Sequence, residues 1–410
     1  MADALPRQDR CIGLVLTGGG ARAAYQVGVL RGIERIRGEC RAGSVVTPFK
    51  VMTGTSAGAI NAAALASEAD DYPRALQRLH RIWHDFQAND VYRADAFGIV
   101  QSGARWLTLF TVGWALARWR RAKPKSLLDN TPLAELLAER VPLERIPGLV
   151  KSGVLRAFAV TASSYTSGTH VTFFDAAPQQ APWARSQRVA VRSRIGATHL
   201  LASSAIPFVF PSQCLELDGQ PHWFGDGAMR QTAPISPAIH LGAERVLVIG
   251  AGRLNEAPIP RRAAAGEYPS LAQIGGHAMS NIFLDALAVD IERAQRINAT
   301  LALLPAELRG QSSLRPVELL VIAPSQRIDD IAARHVEALP RAVRTMLGAV
   351  GVSQREGGEQ GTAGGGVLAS YLLFESDFTR ELLAMGEADA LARADEVRAF
   401  FGWAGTAATA

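Results

Sequence analysis

Short apolar runs that end in glycine mark the first 67 residues of the chain. Residues 11–17 form such a run, and its lack of polar alternation predicts a strand that is buried on both faces. Apolar side chains at helical spacing predict a helix over residues 21–37. Residues 49–53 predict a second strand, and the alanine-rich residues 57–67 predict a second helix. Strand, glycine turn and helix, twice in succession, indicate an α/β architecture.

The rest of the chain contains further strand and helix patterns, separated by two segments rich in small residues or proline. A helix-like stretch covers residues 235–241, and apolar residues on a helical period predict a long helix over residues 271–300. Residues 255–269 and 351–366 have the composition of connectors. Further strands are predicted at residues 155–162, 170–174, 245–250 and 317–322.

These patterns divide the chain into four expected parts. A catalytic domain is expected over residues 12–250, followed by a continuation with helices and a further strand over residues 251–350. A flexible linker is expected at residues 351–366, and a C-terminal helical block at residues 367–403.

Composition narrows the class of protein only slightly. The 410 residues are 48% hydrophobic and 20% charged, which is an ordinary globular balance. The net charge is +5, but Lys and Arg are spread along the chain without a DNA- or RNA-binding motif, so no nucleic-acid partner is expected. A basic surface also suits anionic lipid headgroups, so charge does not decide the partner, and the oligomeric state is not specified.

Cysteines and apolar runs bear on the compartment. Cys11, Cys40 and Cys214 lack pairing or zinc-ligand spacing, which argues against a disulfide framework and favours a reducing compartment. The first ten residues lack the apolar centre of a signal peptide, and no uninterrupted apolar run reaches the length of about 18 residues that a spanning helix needs. We therefore expect a cytoplasmic protein, attached at most to the surface of the inner membrane.

The pentad Gly54-x-Ser56-x-Gly58 is the most informative pattern for chemistry. A serine between a strand and a helix sits on a sharp turn, and flanking glycines allow that turn without side-chain clashes. The N-terminus of the following helix also favours negative charge that develops nearby. The alternative is a simple tight turn, but the strand and helix on either side favour a nucleophile elbow with Ser56 as the nucleophile.

A second glycine pattern, Gly18-Gly19-Gly20, follows the first predicted strand and precedes a helix. Such a loop exposes backbone N–H groups that bind either a phosphate or the oxyanion of a tetrahedral intermediate. A dinucleotide site needs a second strand that ends in an acidic residue about 20 residues further on. The region around Glu39 is turn-like instead, so an oxyanion hole fits better.

Asp226 lies between two glycines, a setting in which aspartate is most often a turn residue. A serine nucleophile, however, needs a base. The downstream histidines His240, His277 and His335 fall in predicted helices rather than on catalytic loops. Asp226 is therefore left as the candidate base.

Together, the motifs GGGARA (residues 18–23), GTSAG (54–58) and DGA (226–228) resemble the patatin-like phospholipase family. Two further stretches, residues 202–211 and 234–250, also resemble family segments, and the motifs occur in family order. The resemblance implies a three-layer α/β/α sandwich with a mostly parallel central sheet. It also implies an enzyme without a cofactor or metal that hydrolyses carboxylic esters of lipids.

The resemblance also implies roles for the motif residues. In this reading Ser56 attacks an ester carbonyl, and Asp226 takes its proton and later activates water. Backbone N–H groups of Gly18, Gly19 and Gly20 bind the oxyanion, with Arg22 at the position of a family arginine. Arg22 has an alternative role, which is to neutralise an acid or a helix end. Gly227 and Ala228 complete the aspartate motif, where the family often has DGG.

Two weaker features and two alternative functions stay open. Residues 98–125 contain three tryptophans beside Arg and Lys, which suits a lid, a membrane-surface anchor or a core helix. His80 and His84 have metal-chelating spacing, but no third ligand accompanies them, so a solvated helix face is favoured.

The leading hypothesis is a phospholipase A or lysophospholipase that acts on phospholipid or another acyl ester. The alternatives are an acyltransferase with the same dyad, or a nucleotide-binding module that uses the Gly18 loop.

Overall fold

The computed structural model describes residues 11–93, 126–253, 271–349 and 363–403, which form one sheet and its surrounding helices. The ten strands found there are β1 (Ile12–Leu16), β2 (Val51–Thr55), β3 (Ala157–Ser164), β4 (His170–Ala176), β5 (Trp183–Arg185), β6 (Arg188–Arg192), β7 (Gln213–Leu217), β8 (Gln220–Asp226), β9 (Arg245–Ile249) and β10 (Glu318–Ile322).

The helices of the same residues range from single turns to five turns. They are α1 (Ala24–Glu39), α2 (Ala57–Ala66), α3 (Tyr72–His84), α4 (Thr131–Arg140), α5 (Ile146–Lys151), α6 (Ala197–Ser203), α7 (Ser236–His240), α8 (Leu271–Ser280), α9 (Ala286–Leu303), α10 (Ala306–Arg309), α11 (Ile328–His335), α12 (Arg341–Ala349), α13 (Ala363–Leu372), α14 (Ser376–Ala392) and α15 (Ala394–Phe401). A π-helical segment, Asn281–Asp285, joins α8 to α9. Short 3-10 turns occur at Gly20–Ala23, Ala69–Asp71, Ala88–Asp90, Leu143–Arg145 and Val336–Ala338.

Parallel pairing dominates the centre of the sheet. The strand order is β10-β9-β1-β2-β3-β4-β6-β5, and the first five of these strands run parallel. Strand β3 pairs antiparallel with β4 along one edge. On its other edge β3 pairs with β2 up to Thr161 and then, from Ala162 onward, with β8 of the β7–β8 hairpin. The end of β8 therefore lies directly beyond the end of β2.

The side chains of β1 alternate between two hydrophobic cores. Leu14 and Leu16 belong to the core on one face, together with α1 and α2 residues such as Val27. Val15 belongs to the core on the other face, with Ala238 of α7 and α9 residues. Helices therefore cover both faces of the sheet, which confirms the predicted α/β fold, a three-layer sandwich with a mostly parallel central sheet.

The C-terminal helices pack against the first helix of the chain through glycines. A Cβ on Gly28 of α1 would lie 2.1 Å from the carbonyl oxygen of Leu383 in α14, and one on Gly386 would lie 2.3 Å from the carbonyl oxygen of Tyr25. The two helices can approach this closely only because both positions lack a side chain. The predicted C-terminal block is thus helical and is packed against α1.

The predicted strands agree with the structure to within about two residues, but three other expectations need correction. The helix predicted from residue 21 begins as the 3-10 turn Gly20–Ala23 before α1. The helix predicted over residues 271–300 is interrupted by the π-helical segment. Residues 363–366, predicted as part of the linker, belong instead to α13, which begins at Ala363, and Gly366 fits against the Asp329 backbone.

Several short elements have no counterpart in the sequence prediction, namely strands β5 to β8. Other predicted features cannot be compared, because residues 98–125, the connector at 255–269 and most of the linker at 351–366 lie outside the described residues. In the described part of the chain, no helix has both the length and the apolarity needed to span a membrane.

Candidate active site

Ser56 occupies a strained turn between β2 and α2. Its φ of 55° is in the left-handed region, which side-chain-bearing residues seldom adopt and which costs about 1–3 kcal/mol. Neighbouring glycines make the turn possible: a Cβ on Gly54 would lie 2.4 Å from the Ala59 Cα, and one on Gly58 would lie 2.4 Å from the Leu16 carbonyl oxygen. The strand–turn–helix geometry expected for GxSxG is therefore present.

The Ser56 hydroxyl donates a hydrogen bond to Asp226. The Ser56 Oγ to Asp226 Oδ2 distance is 2.6 Å, although the two residues are 170 positions apart in sequence. Sheet topology explains this proximity, because Asp226 ends β8 beyond the last residue of β2. Around the pair, the Ser56 backbone N–H donates to Ser203 Oγ at 2.8 Å, and the Ala228 N–H donates to Asp226 Oδ1 at 2.8 Å.

The Asp226 carboxyl group is fully buried. Burial raises its pKa to about 7, while the hydrogen bonds from Ser56 and Ala228 act in the opposite direction. A group with a pKa near 7 can both take up and return a proton at neutral pH. The environment therefore gives this aspartate the acid–base character usually supplied by histidine.

Gly18 and Gly19 follow β1 and lie beside the serine. A Cβ on Gly18 would lie 3.1 Å from the Ser56 Cβ and 3.0 Å from the ring of Phe283. A Cβ on Gly19 would lie 2.6 Å from that of Ala251. The Gly18 backbone therefore lies next to the nucleophile, and a side chain at either glycine would clash with these neighbours.

Gly20 opens the 3-10 turn that leads into α1, and its φ is +55°. The first N–H groups of a helical turn have no partner within it. Buried side chains hold the start of the glycine loop in place. The Gln26 amide donates to the Thr17 carbonyl at 2.8 Å, and the Asn61 amide donates to Gln26 Oε1 at 3.1 Å. The indole N–H of Trp83 donates to Asn61 at 2.8 Å, so the loop is tied to α2 and α3 by a buried polar chain.

Arg22 is buried and points into the C-terminal part of the chain. Its guanidinium group forms a salt bridge with Asp329, donates to Ser370 Oγ at 2.7 Å and lies 4.3 Å from the ring centroid of Tyr371. Its backbone N–H donates to the Gly19 carbonyl at 3.1 Å. Of the two roles considered for Arg22, these contacts match neutralisation of an acid.

An apolar pocket opens beside Ser56. Its walls come from α2, α3 and α4 and from residues after α6 and α13, with both Gly20 and Ser56 in the lining. The apolar side chains that shape it include Ile60, Leu79, Trp83, Leu137, Phe210 and Phe374. The apolar lining suits an aliphatic chain whose polar end reaches the serine. The free volume is about 60 Å³, so a long chain enters only when the lining side chains move apart.

The histidines considered as alternative bases lie in other surroundings. His240 stacks on Trp183, His335 contacts Glu381 and His277 is exposed. His170, which the sequence did not single out, is buried beside the backbone of Gly227. Burial lowers the pKa of His170 to about 4, so its ring is neutral and supports the aspartate segment.

The structure also shows the surroundings of His80 and His84, the two histidines with metal-chelating spacing, and of Ser203. His80 contacts Arg31 and His84 contacts Asp85. In the part of the chain that the structure describes, no three His, Cys, Asp or Glu residues are grouped to hold a metal ion. Ser203 lies in the stretch 202–211 that resembles a family segment, but its role was not predicted, because its contact with Ser56 depends on how α6 packs.

The fold and the site define an α/β protein with a buried serine–aspartate pair at the carboxyl edge of a parallel sheet. The family model described as patatin-like phospholipase matches residues 14–239, which is more than half of the chain. The chain therefore belongs to the patatin-like phospholipase family, and this membership supports a lipid hydrolase.

Individual relatives are more distant. A cGAMP-activated phospholipase of Vibrio cholerae is 30% identical over 233 residues, which cover 55% of this chain and 56% of the relative. The chain thus matches little more than half of that protein's length. Among solved structures, VipD from Legionella pneumophila is 13% identical with a TM-score of 0.32, covering 91% of this chain and 67% of VipD. ExoU of Pseudomonas aeruginosa, solved in complex with SpcU, is 14% identical with a TM-score of 0.26. The match covers 95% of this chain and 79% of ExoU.

Proposed function

We propose that the chain is a serine acyl-ester hydrolase of the phospholipase A or lysophospholipase type, which releases fatty acids from lipids. The observation that carries the proposal is the 2.6 Å hydrogen bond from Ser56 to a buried Asp226, at the mouth of an apolar pocket. A nucleophile, a base and a binding site for an acyl chain are thereby adjacent.

In the first half of the proposed reaction, Ser56 Oγ attacks the ester carbonyl carbon while its proton passes to Asp226 Oδ2. The carbonyl oxygen becomes an oxyanion, which backbone N–H groups of Gly18, Gly19 and Gly20 stabilise. Collapse of the intermediate breaks the ester C–O bond. The leaving alcohol takes the proton from Asp226, and the acyl group stays on the serine.

In the second half, a water molecule attacks the acyl-enzyme and gives a proton to Asp226. The fatty acid leaves when the bond to Ser56 Oγ breaks, and the serine regains its proton from the aspartate. The raised pKa of Asp226, about 7, supports this double role because neither protonation state is strongly disfavoured at neutral pH.

Arg22 serves in this scheme as an anchor of the glycine loop rather than as a direct donor to the oxyanion. Its guanidinium is engaged with Asp329 and Ser370, and its N–H with Gly19. Residues 98–125 remain our candidate for contact with a membrane surface, where a lipid substrate would be met.

The test compares Ser56→Ala and Asp226→Asn with the wild type on a short p-nitrophenyl ester and on lysophospholipid. Each variant is expected to lose roughly 10³-fold or more in kcat, because the two residues act as one unit. Ser67→Ala is the matched control: this serine follows the last residue of α2, its hydroxyl donates to the Ala64 carbonyl at 3.1 Å, and its side chain does not line the pocket. Near-wild-type activity in Asp226→Asn would remove the aspartate from the mechanism.

The two alternative functions have distinct signatures. An acyltransferase would form a new ester when an acceptor lipid is added, so product analysis separates it from a hydrolase. A nucleotide-binding module would be stabilised by nucleotide and leave Ser56 unlabelled by a fluorophosphonate.

A further inference from the structure

A second cavity lies at the opposite edge of the sheet from Ser56. Its volume is about 650 Å³, and it is lined by residues that precede parallel strands, among them Arg156 before β3 and Glu244 before β9. Ser56 and Gly18, in contrast, follow the strands β2 and β1. The cavity is therefore at the amino edge of the sheet and is separate from the proposed ester site.

Positive charge dominates the lining of this cavity. Arg156, Arg185 and Arg315 contribute three guanidinium groups, and Glu244 contributes the carboxylate. In the described ranges of the chain, none of the three arginines forms a salt bridge. Three positive charges against one negative charge leave a formal excess of two positive charges around the cavity.

Backbone contacts hold two of these guanidinium groups, those of Arg185 and Arg315. Arg315 Nη2 donates to the carbonyl oxygens of Ile239 and Ala243, both at 2.9 Å, and Arg185 donates to the Ala184 carbonyl at 2.9 Å. A guanidinium group has five N–H donors, so each of these arginines keeps further donors after its backbone contacts. Groups that are already positioned lose less entropy when they bind a ligand.

A flat ring forms another part of the wall. His240 lines the cavity and stacks on Trp183, with ring centroids 4.8 Å apart and an interplanar angle of 21°. Burial lowers the pKa of His240, and the charges of Arg185 and Arg315 lower it further. The arginines are thus close enough for their field to act on the ring, and the neutral imidazole offers a surface for an aromatic or ribose group.

We propose that this cavity binds a ligand that carries at least two phosphate charges. Two negative charges balance the excess of the lining, and phosphate oxygens match the fork of N–H donors on arginine. The volume is within the range of about 300–1,000 Å³ that small-molecule sites occupy. The phosphates belong either to a soluble phosphate ester or to the headgroup of an anionic lipid. This site is independent of the proposed ester hydrolysis.

Binding is tested with the full chain and two kinds of probe. Pyrophosphate is titrated by calorimetry, and cosedimentation is measured with vesicles of cardiolipin, whose headgroup carries two phosphate groups, and of phosphatidylcholine. The vesicle experiments use a Ser56→Ala background, so that hydrolysis does not consume the lipid. Pyrophosphate binding without a preference for cardiolipin vesicles indicates a soluble ligand, and a preference for cardiolipin vesicles indicates a headgroup.

The variant Arg185→Gln is expected to weaken the interaction about tenfold or more, the factor expected for loss of a hydrogen bond to a charged group. Arg74→Gln is the matched control, because it removes the same charge from an exposed position of helix α3, on the other face of the sheet. Arg185 is exposed, so its replacement leaves the core intact. The proposal is overturned if neither probe binds the wild type, or if the two variants weaken binding equally.

Discussion

Asp226 is the residue at which burial most directly determines chemistry. A carboxylate with a pKa of about 7 is protonated in acid and ionised in weakly alkaline solution, and only the ionised form can accept the serine proton. We therefore expect kcat/KM for a p-nitrophenyl ester to rise with pH and to level off above an apparent pKa near 7. The measurement is a pH–rate profile of the wild type at constant ionic strength.

A profile that is already flat from pH 5 upward would show that the base ionises far below 7 and would contradict the burial argument. Fluorophosphonate labelling of Ser56 across the same pH range provides the control for substrate effects. Because labelling also requires an activated serine, its rate should follow the same curve as hydrolysis.

Residue-scale prediction from sequence succeeded where the chemistry is local. The turn at Ser56 follows from Gly54 and Gly58 within five residues, and both glycines prove to be sterically required. The partner of Arg22 could not be found in this way, because Asp329 is 307 positions away. No local pattern encodes a contact made by the packing of two distant helices.

At the level of elements, the glycine loop depends on the helices α11 and α13. Asp329 of α11 is expected to act as a positioning residue, since its salt bridge holds Arg22, two residues after Gly20. Breaking one side of a buried pair costs about 3–5 kcal/mol, so the loop should lose its geometry in Asp329→Asn. We expect kcat to fall at least tenfold with little change in KM.

The neighbouring variant Asp330→Asn is the control, because Asp330 is exposed on the same helix. Partial recovery of kcat in Asp329→Glu would indicate that the charge next to Arg22 is what matters. If Asp329→Asn and the wild type have equal kcat per folded molecule, Asp329 does not position the glycine loop.

The contact between α1 and α14 makes a prediction about stability. Gly28→Ala places a Cβ 2.1 Å from the Leu383 carbonyl, so the helices must separate, and we expect a loss of about 1–3 kcal/mol in the free energy of unfolding. Gly38→Ala in the same helix meets nothing within 4 Å and should be neutral or stabilising. Urea denaturation of both variants tests this; equal stability of the two would contradict close packing at Gly28.

Most of the strands that sequence predicted are buried on both faces. Their apolar runs can be recognised because they have few alternative structures. Strands β7 and β8 were missed, since their exposed and buried positions are mixed and His222 and Trp223 interrupt any simple pattern. This hairpin nevertheless carries Asp226 to Ser56. Its register against β3 is a property of the sheet and not of the local sequence.

On the scale of the whole molecule, the pocket beside Ser56 is assembled from parts that are far apart in sequence. Ile60 comes from α2, Leu137 from α4 and Phe374 from the turn between α13 and α14. A substrate chain in this pocket would touch all three segments, so acyl-chain selectivity should depend on residues that take no part in the chemistry.

Leu137→Trp fills part of this pocket from α4. We expect kcat/KM for a twelve-carbon p-nitrophenyl ester to fall at least tenfold relative to that for a four-carbon ester. The binding of one methylene group in an apolar pocket contributes about 1–3 kcal/mol, and the tryptophan displaces several. Hydrolysis of the short ester is the internal control, since it requires a folded enzyme and an intact Ser56. Glu135→Trp, which adds the same ring at an exposed position of α4, should leave the ratio unchanged. If the ratio of the two esters is the same in Leu137→Trp and the wild type, the acyl chain binds elsewhere.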